Sequence, residues 1–130
     1  MAEPSLYDVV KELFQKIGES PQGREALKMY DHTLIFSALD GETLHVAVKG
    51  GQAQVKPGLP PSRPITEAHE FKADEAVFRD FFAGRRRFSD AVYEGDLFPM
   101  AAHTAKRHID HWLVKLVNIG NGIPSLKELY

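Results

Sequence analysis

Residues 78–97 read FRDFFAGRRRFSDAVYEGDL, and their interpretation decides the fold. Asp74 precedes a segment in which Val77, Phe78, Phe81 and Phe82 fall on one helical face while Arg79 and Asp80 face away. The spacing predicts a helix capped by Asp74 and stopped by Gly84. Ser89 then caps a short turn through Val92 and Tyr93 to Gly95, and Leu97-Phe98 forms a brief fifth strand that Pro99 confines to an edge. Three arginines, Arg85, Arg86 and Arg87, lie between the two apolar turns with no catalytic motif beside them.

Upstream, period two replaces the helical period. Leu34, Phe36 and Ala38 alternate with Ile35, Ser37 and Leu39, Asp40-Gly41 supplies a hairpin turn, and Leu44, Val46 and Val48 alternate with His45, Ala47 and Lys49. Gly50-Gly51 makes the next turn, Ala53 and Val55 continue a third strand to Pro57, and PGLPPSRP (57–64) is an extended loop. Ile65 to Phe71 reads as a fourth strand. Before the strands, Ser5 with Asp8 sets a capping-box spacing for a helix carrying Leu6, Val9, Val10, Leu13 and Ile17, and Ser20-Pro21 starts a shorter one that Gly23 weakens. A long helix follows the fifth strand, starting near Pro99 or Thr104 and ending at Gly120-Asn121-Gly122, with Ile109, Trp112, Leu113, Leu116 and Val117 as its apolar stripe. These elements predict an α+β layer fold with about five mostly antiparallel strands and helices on one face of the sheet.

The chain of 130 residues fits a single domain spanning 1–130. Composition, 43% hydrophobic and 26% charged, is that of an ordinary globular protein. A net charge of −2 argues against a nucleic-acid partner, and over 79–96 the four arginines are balanced by Asp80, Asp90, Glu94 and Asp96. The absence of cysteine removes disulfides, thiol catalysis and thiolate zinc sites. MAEPSLYDVVKELF (1–14) lacks the pattern of a signal peptide, and a cytoplasmic location is expected.

The run FKADEAVFRDFFAGRRRFSDAVYEGDL (71–97) resembles the carboxyl half of the sterol carrier protein type 2 family. The family's pattern of strand, acidic helix start, aromatic-glycine, turn, alanine-glycine and apolar strand is matched by Phe81, Phe82 and Gly84, then Ala91, Gly95 and Leu97-Phe98. LHVAVKGGQAQVKPG (44–58) is similar to the family's second and third strands, and the likeness covers about residues 8–118. Two stretches depart from it. PMAAHTAKRH (99–108) replaces the usual Gly-Asp turn, and the tail at 120–130 has no counterpart. The resemblance implies a lipid-binding domain with an apolar tunnel between sheet and helices that accepts sterols, fatty acids or acyl esters, with no cofactor.

On this reading the wall is formed by Phe36, Val46, Phe71, Phe78, Phe81, Phe82, Leu97, Phe98, Met100, Ile109, Trp112, Leu113 and Leu116. Taken singly, each of these positions reads as plain core, so the expectation concerns the set. Arg85, Arg86 and Arg87 read either as a solvated loop after a helix C-terminus or as a rim that holds a carboxylate or phosphate head group or touches a membrane surface. Lys106 and Arg107 carry the same ambiguity.

His103, His108 and His111 are the strongest lead toward metal or acid–base chemistry, yet only His108 and His111 share a helical face and no third ligand is in view. His32, His45 and His69 read as ordinary strand histidines. Neither a catalytic residue nor a metal ligand is assigned, since no nucleophile stands beside a base and no phosphate-binding glycine motif occurs. Non-catalytic carriage of an apolar ligand is therefore expected. The rivals are a small enzyme using Asp or His in a similar cone-like pocket, and an interaction domain with a filled core.

Overall fold

The computed structural model describes residues 3–61, 68–100 and 107–123. Ser5 Oγ accepts from the Asp8 amide and opens α1 (Leu6–Glu19) as its spacing predicts. Ser20 closes α1 and opens α2 (Pro21–Leu27), its Oγ accepting from Gly23 N at 2.8 Å. A single residue thus ends one helix and starts the next.

Strands β1 (His32–Ala38), β2 (Thr43–Lys49) and β3 (Gln52–Pro57) form the expected antiparallel meander. Gly50 and Gly51 both take positive φ, the conformation a two-residue hairpin turn requires. β4 (Ala68–Ala73) does not continue the meander but pairs with β1 in parallel, Phe36 opposite Phe71. β5 (Leu97–Pro99) adds antiparallel to β4, giving the order β3-β2-β1-β4-β5. The chain leaves β3 at one edge and re-enters beyond β1, so the connection after Pro57 is a crossover, and a crossover delivers a parallel strand. The expected strand start at Ile65 lies outside the described residues, and β4 runs on to Ala73.

Helix α3 (Glu75–Phe82) follows the predicted stripe, with Phe78, Phe81 and Phe82 buried. Its cap differs from expectation. Asp74 occupies the cap position without a side-chain bond, and Asp40 of the β1–β2 turn accepts from Glu75 N at 2.8 Å instead. Likewise α4 (Phe88–Tyr93) begins one residue before Ser89, with Arg87 at the cap position. Helix α5 (Arg107–Gly120) ends where the glycines predict, and Asn121 Nδ2 donates to both Val117 O and Phe82 O, tying it to the end of α3. A helix start near Pro99 is not what the structure shows, since Pro99 closes β5; the alternative start at Thr104 lies outside the described residues.

Strand alternation sends Leu34, Phe36, Ala38, Leu44, Val46, Val48, Phe71 and Ala73 to one face, where the helices cover them. Burying that face is the dominant stabilising term, at roughly 25 cal/mol per Å² of apolar surface. On the other face Ser37 donates to Glu70 Oε2 at 2.7 Å, and His45 Nδ1 donates to the carbonyl of Gly58 at 2.8 Å. That bond, with Gly58 N donating to Thr43 O at 2.8 Å, ties the end of β3 to β2.

Candidate functional site

The inner layer between sheet and helices is built around Phe36. Its ring stacks on Phe71 with centroids 5.5 Å apart and meets Phe78 and Phe82 edge-on at 5.8 and 5.0 Å. Phe88 joins from α4, 6.0 Å from Phe71 and 5.7 Å from Phe81. These are the offset and edge-to-face arrangements that the ring quadrupole favours. Strand alternation supplies Phe36 and Phe71, and helical spacing supplies Phe78, Phe81 and Phe82.

Of the residues expected to form a ligand wall, Phe36, Val46, Phe71, Phe78, Phe81, Phe82, Leu97, Ile109, Trp112, Leu113 and Leu116 all lie in this one buried cluster. Phe98 and Met100 do not join them. They are 45% and 48% exposed, because Leu97 takes the inward position on β5 and strand geometry turns Phe98 outward, opposite Lys72 in the register.

Three clefts lined by described residues flank the layer. One, of about 630 Å³, lies between α1 and β3 and reaches Phe14, Ala53 and Val55. Another, of about 170 Å³, separates α1 from the ends of α3 and α5 and reaches Leu13 and Phe82. The third, of about 620 Å³, opens between α2 and α5. Each touches the margin of the cluster, while its aromatic centre is occupied by its own rings.

The layer also holds polar groups. His69, placed on the inner face by alternation with Phe71 and Ala73, stacks on the Phe71 ring at 4.5 Å, and its Nε2 lies 3.4 Å from Asp110 Oδ1 of α5. Both residues are buried. Sequence reasoning treated His69 as ordinary and passed over Asp110. The available signals were the period of two that His69 shares with Phe71 and the three-residue step from Asp110 to Leu113 on the buried stripe. Trp112 Nε1 donates to Ala26 O at 2.7 Å. His108 is exposed and sits 5.2 Å from the Tyr30 ring. His103 lies outside the described residues, and among those described no three acidic, histidine or cysteine side chains gather as a metal site.

The arginine loop is largely self-paired. Arg85 donates twice to Asp80 Oδ1, at 3.0 and 2.9 Å. Arg86 contacts Asp96 at 2.6 Å and Glu94 at 3.3 Å, and the bond to Asp96 is the main reason its pKa lies above the ordinary arginine value. Two of the three guanidinium groups expected at a rim are thus engaged by local carboxylates. Arg87 makes no ion pair among the described residues, and Gly84 at φ +76° makes the turn that places all three.

No protein-family model matches the chain, and no curated protein matches its sequence. Solved structures do match. A sterol carrier protein 2 crystal structure superposes with a TM-score of 0.64 at 17% identity, covering 88% of this chain and 94% of that one. A ubiquinone synthesis protein, UbiJ-SCP2, gives 0.67 at 13% identity over 88% and 94%. Sterol carrier protein 2 from Yarrowia lipolytica, in its apo form, gives 0.56 at 17% identity over 95% and 88%. These likenesses establish the fold, which is that of sterol carrier protein 2.

Proposed function

We propose that this chain, as one domain, binds and carries an apolar small molecule without transforming it: a fatty acid, an acyl ester, or a sterol- or isoprenoid-like lipid, within the cytoplasm. The observation that carries the reading is the continuous buried apolar layer between the sheet and helices α3 and α5, built on the fold of sterol carrier protein 2. The guest lies in a tunnel opened within that layer, against Phe36, Phe71, Phe78, Phe82 and Leu116. Since the rings fill the centre in the structure, loading requires them to part, and the cleft between α1 and β3 is where the chain would enter. Among the described residues no helix is long and apolar enough to cross a membrane; delivery would occur by transient surface contact, to which Arg87 would contribute a cation.

Magnitudes support reversible carriage. Moving a sixteen-carbon chain out of water at ~0.8 kcal/mol per methylene gains roughly 12 kcal/mol. Association costs on the order of 4–15 kcal/mol, which leaves a modest surplus. Because one methylene changes affinity by only about 1–3 kcal/mol, the guest would be chosen broadly by length.

Native mass spectrometry of freshly purified protein, with organic extraction, tests this directly. Co-purifying acyl chains or isoprenoids are expected. A protein that emerges empty and also ignores a fluorescent fatty acid overturns the reading. The buried His69–Asp110 pair favours a second reading, in which the pair performs acid–base chemistry on a hydrophobic substrate. Turnover of an acyl ester that His69→Gln abolishes, with binding retained, would select it over carriage.

A further inference from the structure

Helices α2 and α5 meet across a cleft that the lipid reading does not use. Gln22, Ala26 and Met29 line it from α2 and its exit, and Lys115, Asn118 and Ile119 line it from α5. Its volume, about 620 Å³, falls in the range of small-molecule sites. Pro21, Ala26, Met29, Ile119 and Ile123 form its apolar part, and Gln22, Glu25, Lys115 and Asn118 its polar part. Of the polar residues only Asn118 is buried, 3% exposed, with neither Oδ1 nor Nδ2 hydrogen-bonded among the described residues.

A buried primary amide with both ends unmatched is an unfavourable arrangement, since each group forfeits its bonds to water. The backbone does not explain the residue, because the bond made by its carbonyl, from Ile123 N at 2.9 Å, is available to any amino acid. Leucine would fill the same space on the buried face of α5. What asparagine adds is one donor and one acceptor side by side.

We propose that the α2–α5 cleft is a second ligand site, specific for a small molecule with an apolar body and a neutral amide head. A carboxamide or lactam offers the complementary acceptor and donor and satisfies both atoms at once. A carboxylate only accepts, and would set its charge against Oδ1. The body of the ligand packs on Ala26 and Ile119. The amide atoms are closed to solvent as the side chains stand, so entry of the ligand requires lining side chains such as Lys115 and Met29, whose Nζ and Sδ lie 3.8 Å apart, to move. The site is independent of the lipid-carrying layer.

Titration of the ¹⁵N-labelled full chain with octanamide, methyl octanoate and octanoate tests the assignment by NMR. Octanamide is expected to shift the Asn118 side-chain amide pair and backbone signals of α2 and α5, and to bind about tenfold more tightly than methyl octanoate. Asn118→Leu should erase that difference while leaving fatty-acid binding in the main layer unchanged. Asn118→Asp, which keeps the shape and removes the donor, should do the same, so the test survives if one variant fails to fold. Equal affinity for the two octanoyl compounds, shifts confined to the phenylalanine layer, or Asn118 signals unmoved at saturation would each overturn the proposal. Loss of fatty-acid binding with octanamide binding intact would sink the lipid reading and spare this one.

Discussion

The indole of Trp112, on α5, donates across 86 positions of sequence to the carbonyl of Ala26 in the last turn of α2, at 2.7 Å and out of reach of solvent. The bond fixes where α5 lies against α2. Trp112→Phe keeps an aromatic ring but removes the indole bond, leaving that carbonyl its bond from Met29 N at 3.1 Å, and we expect a loss of about 0.5–1.5 kcal/mol. Since Trp112 is the only tryptophan, urea unfolding should be followed by far-ultraviolet circular dichroism. An unchanged midpoint would show that the bond contributes nothing.

Gly23 and Gly18 should respond in opposite directions to alanine. A Cβ on Gly23 would stand 1.7 Å from the Ile17 carbonyl oxygen, so Gly23→Ala forces α1 and α2 apart at a cost of at least about 1–3 kcal/mol. Gly18, inside α1 with open space around it, should stabilise by about 0.4–1 kcal/mol on the same change. Thermal melts of the two variants decide the matter.

His69 and Asp110 should be energetically coupled. Each single replacement by an apolar residue, His69→Leu or Asp110→Leu, is expected to cost more than half of what the double variant costs, with a coupling of about 0.5–3 kcal/mol in a denaturant double-mutant cycle. Additive losses would mean that the 3.4 Å approach carries no energy.

Phe36 is the hub of the aromatic layer, so Phe36→Ala should cost about 3–5 kcal/mol in chemical unfolding. Met100→Ala, at a half-exposed position, should change stability by less than about 0.5 kcal/mol. A small loss at Phe36 would show that the layer collapses around the void.

Of the loop's three arginines, Arg87 is the one without an ion pair among the described residues, and it is the one we expect to meet an anionic surface. Arg87→Glu should weaken co-sedimentation with phosphatidylserine vesicles, by an amount consistent with about 1 kcal/mol per cation near such a surface, and the remaining binding should be less sensitive to salt. Arg85→Gln should matter less, because Asp80 already holds that guanidinium. Equal losses at both positions would contradict this division.

The sequence by itself determined the element types, most of their boundaries and the apolar faces. These rest on neighbours within a turn or two: Ser5 bonding to Asp8 N, the paired positive φ of Gly50 and Gly51, the stripe of Phe78, Phe81 and Phe82. Burial of most of the expected wall residues follows from the same periodicity, which on β5 points Leu97 inward and Phe98 outward. Tertiary structure alone decided that β4 lies parallel to β1, that Asp40 and not Asp74 caps α3, that Gly23 marks a close helix approach, and that Asp80, Glu94 and Asp96 take up Arg85 and Arg86. It also set His69 against Asp110 and placed Asn118 in a cleft. Local periodicity is a property of adjacent residues. These pairings depend on how the chain crosses itself, and a crossing is set by the burial of whole faces, which no short window of sequence contains.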